Sequence, residues 1–232
     1  GAFGWGVYRS TDAGSSWIND RSGMTNSYVR TILAISDDTV FAGTNDGVFM
    51  STNSGSSWIL SLPTTNSVRG IAKDNNTNII YASTYGSGLY KSTNQGITWQ
   101  SIIVRDATVN QTLSRQRTVA VFGSDSLYVG GSISDISSGG ALFKSTNGGA
   151  SWIQVQRGTG IRGSVTSIAI SPNNPASSLT IGTAALGVYI STNGGTNWSN
   201  FNGTTTTHPI FDKHINSIGF NLQYRYAASD SA

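Results

Sequence analysis

The sequence predicts an all-β chain built from repeats of a four-stranded antiparallel unit. An eight-residue phrase, Ser-Thr-(Asp/Asn)-x-Gly-x-x-Trp, occurs five times, at 10–17, 51–58, 92–99, 145–152 and 191–198. Its tryptophans lie 41, 41, 53 and 46 residues apart, a period of radial or stacked repeats rather than of independent domains. Only 11% of the 232 residues are charged, and the chain has 28 glycines. Ser, Thr and Asn suit its turns, while Val, Ile, Tyr, Phe and Trp suit its strands.

The repeat at 68–102 shows the unit. Val68–Ala72 is a short apolar run, followed by the turn cluster Asp74-Asn75-Asn76-Thr77-Asn78. Ile79–Ala82 is the second strand, and Tyr85-Gly86-Ser87-Gly88 is the loop after it. Leu89–Ser92 is the third strand, and Asn94-Gln95-Gly96 opens a tight turn into the fourth, Trp99–Ile102. Four short strands with a turn between each form a meander of about 40 residues, which is one blade of a β-propeller.

The phrase has a mechanical reading. Its Asp or Asn side chain accepts backbone N–H groups of the turn it opens, and its Gly supplies the positive φ that a β-carbon resists. Its Trp is expected to bury a ring between blades. Asp12, Asn53, Asn94, Asn147 and Asn193 therefore read as structural, together with Trp17, Trp58, Trp99, Trp152 and Trp198.

This phrase resembles the Asp-box, or bacterial neuraminidase repeat (BNR), of sialidases, sortilin-type receptors, xyloglucan-cleaving glycosidases and photosystem II assembly factors. The resemblance spans the chain, although only the first box keeps the acid and the other four carry Asn. It implies the fold and says little about activity, because one fold hosts unrelated functions. Sialidase chemistry in that family uses an acid Asp and a Tyr activated by Glu, and this chain contains no Glu. Catalytic members also carry longer insertions than these blades allow.

The two ends are in complementary phase. Gly6–Ser10 matches the third strand of the other repeats, whereas Ile215–Phe220 and Tyr224–Ala228 match the first and second. Pairing these half-blades predicts a ring of five four-stranded blades, a single propeller domain over 1–232 with no open edge. A piece of a longer propeller is the alternative.

First strands lie nearest the axis of a propeller. Aligning them places Arg30, Arg69 and Arg117 at one height on three successive blades, with Thr166 and Asn216 on the other two. Guanidinium groups converging on one opening would hold a carboxylate, sulfate or phosphate, as the arginine triad does on the corresponding face of sialidases. The alternative is that these side chains fan into solvent or pair with Asp37, Asp46 or Asp74. Neighbouring loops add Trp5, Tyr28, Asp46 and Tyr85, and further Arg105, Asp135, Arg162, His208 and His214. Aromatic rings beside hydrogen-bonding groups suit a carbohydrate or peptide groove.

Other function classes find less support. Two Asp residues can perform glycoside hydrolysis when suitably spaced, but most of the 11 acids sit in short turns. An active cleft would have to lie among the longest connections, 102–115, 131–140 and 200–213. His208, Asp212 and His214 form a loose cluster that matches no metal-ligand pattern, so neither a metal nor a cofactor is expected. No cysteine is present for disulfides, and the net charge of +3 has no basic cluster to suit nucleic acid. No apolar run approaches the roughly 20 residues of a membrane helix. Low charge with abundant Ser, Thr and Asn suits an extracellular or cell-surface protein. The sequence thus predicts a non-catalytic recognition or scaffold propeller that binds a glycan or protein on the face opposite the boxes. The alternatives are a structural subunit of an extracellular assembly and a degenerate Asp-dependent glycosidase.

Overall fold

The computed structural model describes residues 4–133, 140–155, 163–171, 178–202, 214–220 and 225–229. Among them every regular element is a β-strand, and no helix is long and apolar enough to cross a membrane. The chain divides into two compact units, Gly1–Ile102 and Ile103–Ala232, each described by itself.

The first unit begins with a two-stranded sheet, β1 (Tyr8–Arg9) and β2 (Ile18–Asn19). Two four-stranded antiparallel meanders follow. The first is β3 (Thr31–Ala34), β4 (Val40–Thr44), β5 (Gly47–Ser51) and β6 (Ile59–Pro63). The second is β7 (Val68–Lys73), β8 (Ile80–Thr84), β9 (Gly88–Ser92) and β10 (Gln100–Ile102), close to the strands expected from the sequence. A core cluster of Phe41, Val48, Leu62, Val68, Ile71 and Ile80 joins the two meanders. All five residues of β8 are buried, whereas β7 alternates between buried and half-buried. A second strand has a neighbour on each edge and apolar packing on each face; the third strand β5, likewise internal to its sheet, also buries all five residues.

The second unit opens with a hairpin, β11 (Arg105–Asp106) and β12 (Gln111–Thr112), in a connection the sequence left without structure. Its flanks Val104 and Leu113 are buried. The Asp106 carboxylate accepts bonds from the Thr108 amide at 2.9 Å and hydroxyl at 2.6 Å, and from the Gln154 amide at 2.9 Å. Two further meanders follow. One is β13 (Arg115–Phe122), β14 (Ser126–Ser132), β15 (Gly140–Ser145) and β16 (Ile153–Gln154). The other is β17 (Val165–Ile170), β18 (Leu179–Thr183), β19 (Val188–Ser191) and β20 (Ser199–Asn200). A last sheet pairs β21 (Ile215–Phe220) with β22 (Arg225–Ser229). Among the described residues, β1–β2 and β21–β22 each remain two-stranded.

The five boxes share one hydrogen-bond plan, and it is richer than the sequence suggested. Each Asx Oδ1 accepts the amide four residues on: Ser16, Ser57, Thr98, Ser151 and Asn197, all at 2.8–2.9 Å. The leading serine does equal service. In the second box Ser51 Oγ donates to Asn53 Oδ1 at 2.9 Å and accepts the Gly55 amide at 2.9 Å. The left-handed region is used twice in succession, at Ser54 (φ 57°) and Gly55 (φ 87°). Such a turn needs an oxygen on residue three and no β-carbon on residue five; it does not need a charge.

The tryptophans are less uniform than expected. Trp58 and Trp152 are 2% and 5% exposed, Trp99 and Trp198 are half-buried, and Trp17 is 61% exposed. The indoles of Trp58 and Trp99 reach the fourth strand of the preceding sheet, donating to the Asp20 carbonyl at 3.1 Å and to Ser61 Oγ at 3.0 Å. Trp17 donates instead to its own box Gly14 carbonyl at 3.2 Å, as Trp152 and Trp198 do to Gly149 and Gly195 at 3.0 and 2.9 Å. Its expected burial between blades is corrected accordingly.

Candidate functional site

The aligned first-strand position has a structural cause that the sequence did not show. The ladder slips at one residue in β7 between Val68 and Gly70, in β13 between Gln116 and Thr118, in β17 between Val165 and Ser167, and in β21 between Ile215 and Ser217. The residues bulged out are Arg69, Arg117, Thr166 and Asn216. A bulge leaves its extra residue outside the ladder and re-aims its side chain, a device common beside functional sites. In the first meander the corresponding Arg30 stands just before β3, its amide bonded to the Gly43 carbonyl at 2.8 Å.

In the first unit Asn, Ser and Tyr side chains engage these arginines. Arg30 Nε donates to Asn45 Oδ1 at 2.9 Å, and the Arg69 guanidinium lies 4.5 Å from the centroid of the Tyr85 ring while Nε reaches Ser67 Oγ at 3.3 Å. An Arg stacked on an aromatic face keeps its outer N–H edge directed away from the ring. The loops around them are tied together. Asn26 Nδ2 donates to Asp46 Oδ2 at 2.6 Å, and Asn66 Nδ2 donates to Ser87 Oγ at 2.6 Å.

The Tyr28 amide donates to Asn26 Oδ1 at 2.9 Å, and the Tyr28 ring lies over Gly4 beside Trp5, which is 66% exposed. Arg30, Asp46, Tyr28 and Trp5 thus share one loop cluster, and Arg69 with Tyr85 forms the next one along. Asp46 receives Asn26, and Asp74 closes its own turn by accepting the Asn76 amide at 2.9 Å. The box turns lie at the opposite end of each meander, because third-to-fourth and second-to-third connections fall at opposite strand ends.

In the second unit Arg117 occupies the bulge of β13, half-buried, and the Thr166 hydroxyl donates to the Ile215 carbonyl on the next first strand. Arg105 lies in the added hairpin and bonds Asn110. His214 precedes β21. Asp135, Arg162, His208 and Asp212 lie outside the described residues. Among the described residues no three His, Cys, Asp or Glu side chains come together as a metal site.

Two carboxyls depart from their ordinary values, and both belong to turns. Bonds from the Ser16 hydroxyl and amide, then from Ser10, hold Asp12 down at about 2. Burial pushes Asp106 up, but the bonds from Gln154, Thr108 and Val109 outweigh it and leave the carboxyl below its ordinary value. Both are ionised anchors rather than proton donors.

Four-stranded antiparallel meanders repeated in series are matched among solved structures. An ancestral GH74 enzyme superposes with a TM-score of 0.70 at 24% identity, over 88% of this chain and 29% of that one. The fold is that of a β-propeller. YCF48 bound to a D1 peptide matches with a TM-score of 0.62 at 13% identity, over 90% of this chain and 62% of that one. The extracellular domain of a one-component system of B. thetaiotaomicron matches at 0.66 and 17% identity, over 93% and 27%. The chain therefore spans less than two thirds of each of these propellers. No family model and no curated protein matches it.

Proposed function

We propose that this chain is a non-catalytic recognition propeller, extracellular or at a cell surface, that binds a protein or glycan partner through the end bearing Arg30, Arg69 and Arg117. In this reading the ring has five blades, the half-blades at 6–19 and 215–229 share the closing sheet, and the three arginines face one opening flanked by Trp5, Tyr28, Tyr85 and Asp46. The observation that carries the reading is the bulge. A bulge frees one residue from the ladder and re-aims its side chain, and here the freed residue is Arg69, already stacked on Tyr85. Such a side chain loses little entropy on meeting a planar anionic or amide group.

A protein partner is favoured by the similarity to YCF48, whose structure holds a D1 peptide. Catalysis gains nothing from the similarity to GH74 enzymes, since at 24% identity it speaks for the fold alone. The test is a pair of arrays, one of glycans and one of peptides, probed with the wild-type chain, Arg69→Ala and Tyr85→Ala. Loss of at least tenfold in binding by both variants supports the assignment. Binding untouched by either variant, or no ligand on either array, removes it. Hydrolysis of xyloglucan by the purified chain would overturn its non-catalytic character.

A further inference from the structure

Two boxes of the second unit are chemical twins in unlike surroundings. Ser145-Thr146-Asn147-Gly148-Gly149 and Ser191-Thr192-Asn193-Gly194-Gly195 are the same five residues, folded into the same turn. Gly148 and Gly149 have φ of 63° and 90°, and Gly194 and Gly195 have 67° and 91°. In each, the Asn Oδ1 accepts the leading serine hydroxyl, at 2.9 and 3.0 Å, and the amide four residues on, at 2.9 and 2.8 Å.

An asparagine before a glycine carries a reaction of its own. The glycine nitrogen gives up its proton to solvent and attacks the asparagine Cγ, and the new N–C bond closes a succinimide. The Cγ–Nδ2 bond breaks, and Nδ2 takes up a proton and leaves as ammonia. Water then opens the ring at one carbonyl to give aspartate, or at the other to give isoaspartate. Glycine favours the attack because it has no β-carbon to hinder the approach, and water is the only co-reactant. The step needs a glycine N–H that can be lost and a side-chain amide that can turn toward it.

The box at 145–152 withholds both. Asn147 Nδ2 donates to Ser151 Oγ at 2.8 Å, and the N–H of buried Gly148 donates to the Asp125 carbonyl at 2.8 Å. The boxes at 51–58 and 92–99 tie their amides in the same way, to Ser57 and Thr98 at 2.9 and 2.8 Å. At 191–198 the place of that hydroxyl is taken by Asn197. Among the described residues neither Asn193 Nδ2 nor the N–H of half-buried Gly194 has a hydrogen-bond partner. The remaining Asn-Gly pair is Asn202-Gly203. There the side chain is held at both ends, Oδ1 accepting the Val188 amide and Nδ2 donating to the Leu186 carbonyl, each at 2.8 Å.

We infer that Asn193 is a site of spontaneous deamidation in the folded chain, with residue 197 setting its rate. Aspartate formed there keeps the box, because Asp12 offers the same oxygen to the Ser16 amide at 2.9 Å. Isoaspartate does not. It runs the main chain through Cγ and removes the acceptor that the Asn197 amide and Ser191 hydroxyl share. The neighbouring Gly194 carbonyl receives the Tyr128 hydroxyl at 3.3 Å, so the modification also loosens a tie between the meanders β13–β16 and β17–β20.

The test ages the purified chain in mildly alkaline buffer, with and without urea. Peptide mapping by mass spectrometry reads conversion of each Asn, and an isoaspartyl methyltransferase counts isoaspartate. In the folded chain Asn193 should convert about tenfold faster than Asn147, since two hydrogen bonds must be given up at Asn147 before attack. In urea the two should convert at one rate, because their sequences coincide. Asn197→Ser restores the hydroxyl of the other boxes and should slow Asn193 about threefold, while Ser151→Ala should speed Asn147 by a similar factor. Both substitutions fall on exposed turn positions. Conversion of Asn193 no faster than that of Asn147 in the folded chain would overturn the site. An Asn193 that still leads but ignores Asn197→Ser would remove residue 197 as its control and leave the site standing.

Discussion

The hairpin at 105–112 should depend on one carboxylate. Asp106 is 4% exposed and accepts bonds from the amide and hydroxyl of Thr108 and from Val109 inside the hairpin, and one from the Gln154 amide on edge strand β16, 48 residues away. Bonds to a charged acceptor contribute about 1.5–3 kcal/mol each, and a buried donor left without a partner costs about 1–3 kcal/mol. Such terms are not additive within one network, and water re-enters part of the site. Asp106→Ala should therefore destabilise the chain by about 3–4 kcal/mol, read from urea unfolding followed by far-UV circular dichroism.

Asp106→Asn separates the two halves of the anchor. An amide keeps one acceptor oxygen, enough for the Thr108 turn, but presents an NH₂ to the Gln154 N–H, donor against donor. A loss of about 2 kcal/mol is expected, with hydrogen exchange at the Gln154 amide accelerated by an order of magnitude or more. Because the folded carboxyl lies below its ordinary value, the anchor's contribution is complete above the unfolded carboxylate range and fades as pH falls through the folded value. An Asp106→Ala chain within 0.5 kcal/mol of wild type (roughly the scatter of neutral surface substitutions), or unchanged exchange at Gln154 in Asp106→Asn, would refute the reasoning.

Three further outcomes are expected. Trp58→Ala, which empties a site 2% exposed and strands the Asp20 carbonyl, should cost about 3–5 kcal/mol by urea unfolding. Gly96→Ala should cost about 2 kcal/mol or more, since its φ of 84° disfavours a β-carbon that would also meet the Phe41 ring at 2.5 Å; a neutral result would mean that the turn relaxes freely. Asp12→Asn should leave Tm unchanged at pH 7, as the Asn boxes attest. Asp12 titrates at about 2 against an ordinary 3.8, so its stabilisation is complete above pH 4 and lost toward pH 2. The variant should accordingly show a shallower fall in Tm between those values.

What the sequence disclosed follows from how strongly each feature is encoded locally. The meanders were legible because turn chemistry and strand composition recur together, and the observed strands of the 68–102 repeat lie within one or two residues of those expected. The box was legible as Asx and Gly, yet its leading Ser was overlooked although all five copies keep it. That serine carries as many bonds as the Asx does, and its invariance across repeats was the signal. The bulge was not legible. It arises from the mismatch of one residue between paired strands, and Val68-Arg69-Gly70 reads as an ordinary strand start until Thr84 and Ser83 are seen to pair around it.

The sequence aligned the arginines without showing that Arg69 and Arg117 stand in bulges of their strands. A residue inside the ladder has its direction fixed by the pleat, alternating with its neighbours; a residue bulged from it does not. The position therefore accepts side chains of differing chemistry, and Thr166 and Asn216 occupy the same bulge as Arg69 and Arg117. Bulge geometry is thus a property of the blade, and binding specificity enters only through which residue fills it. Exchanging Arg69 for Thr, the residue the β17 bulge already tolerates, should spare the fold and change only recognition. A matching loss of Tm would instead make Arg69 a brace for Tyr85.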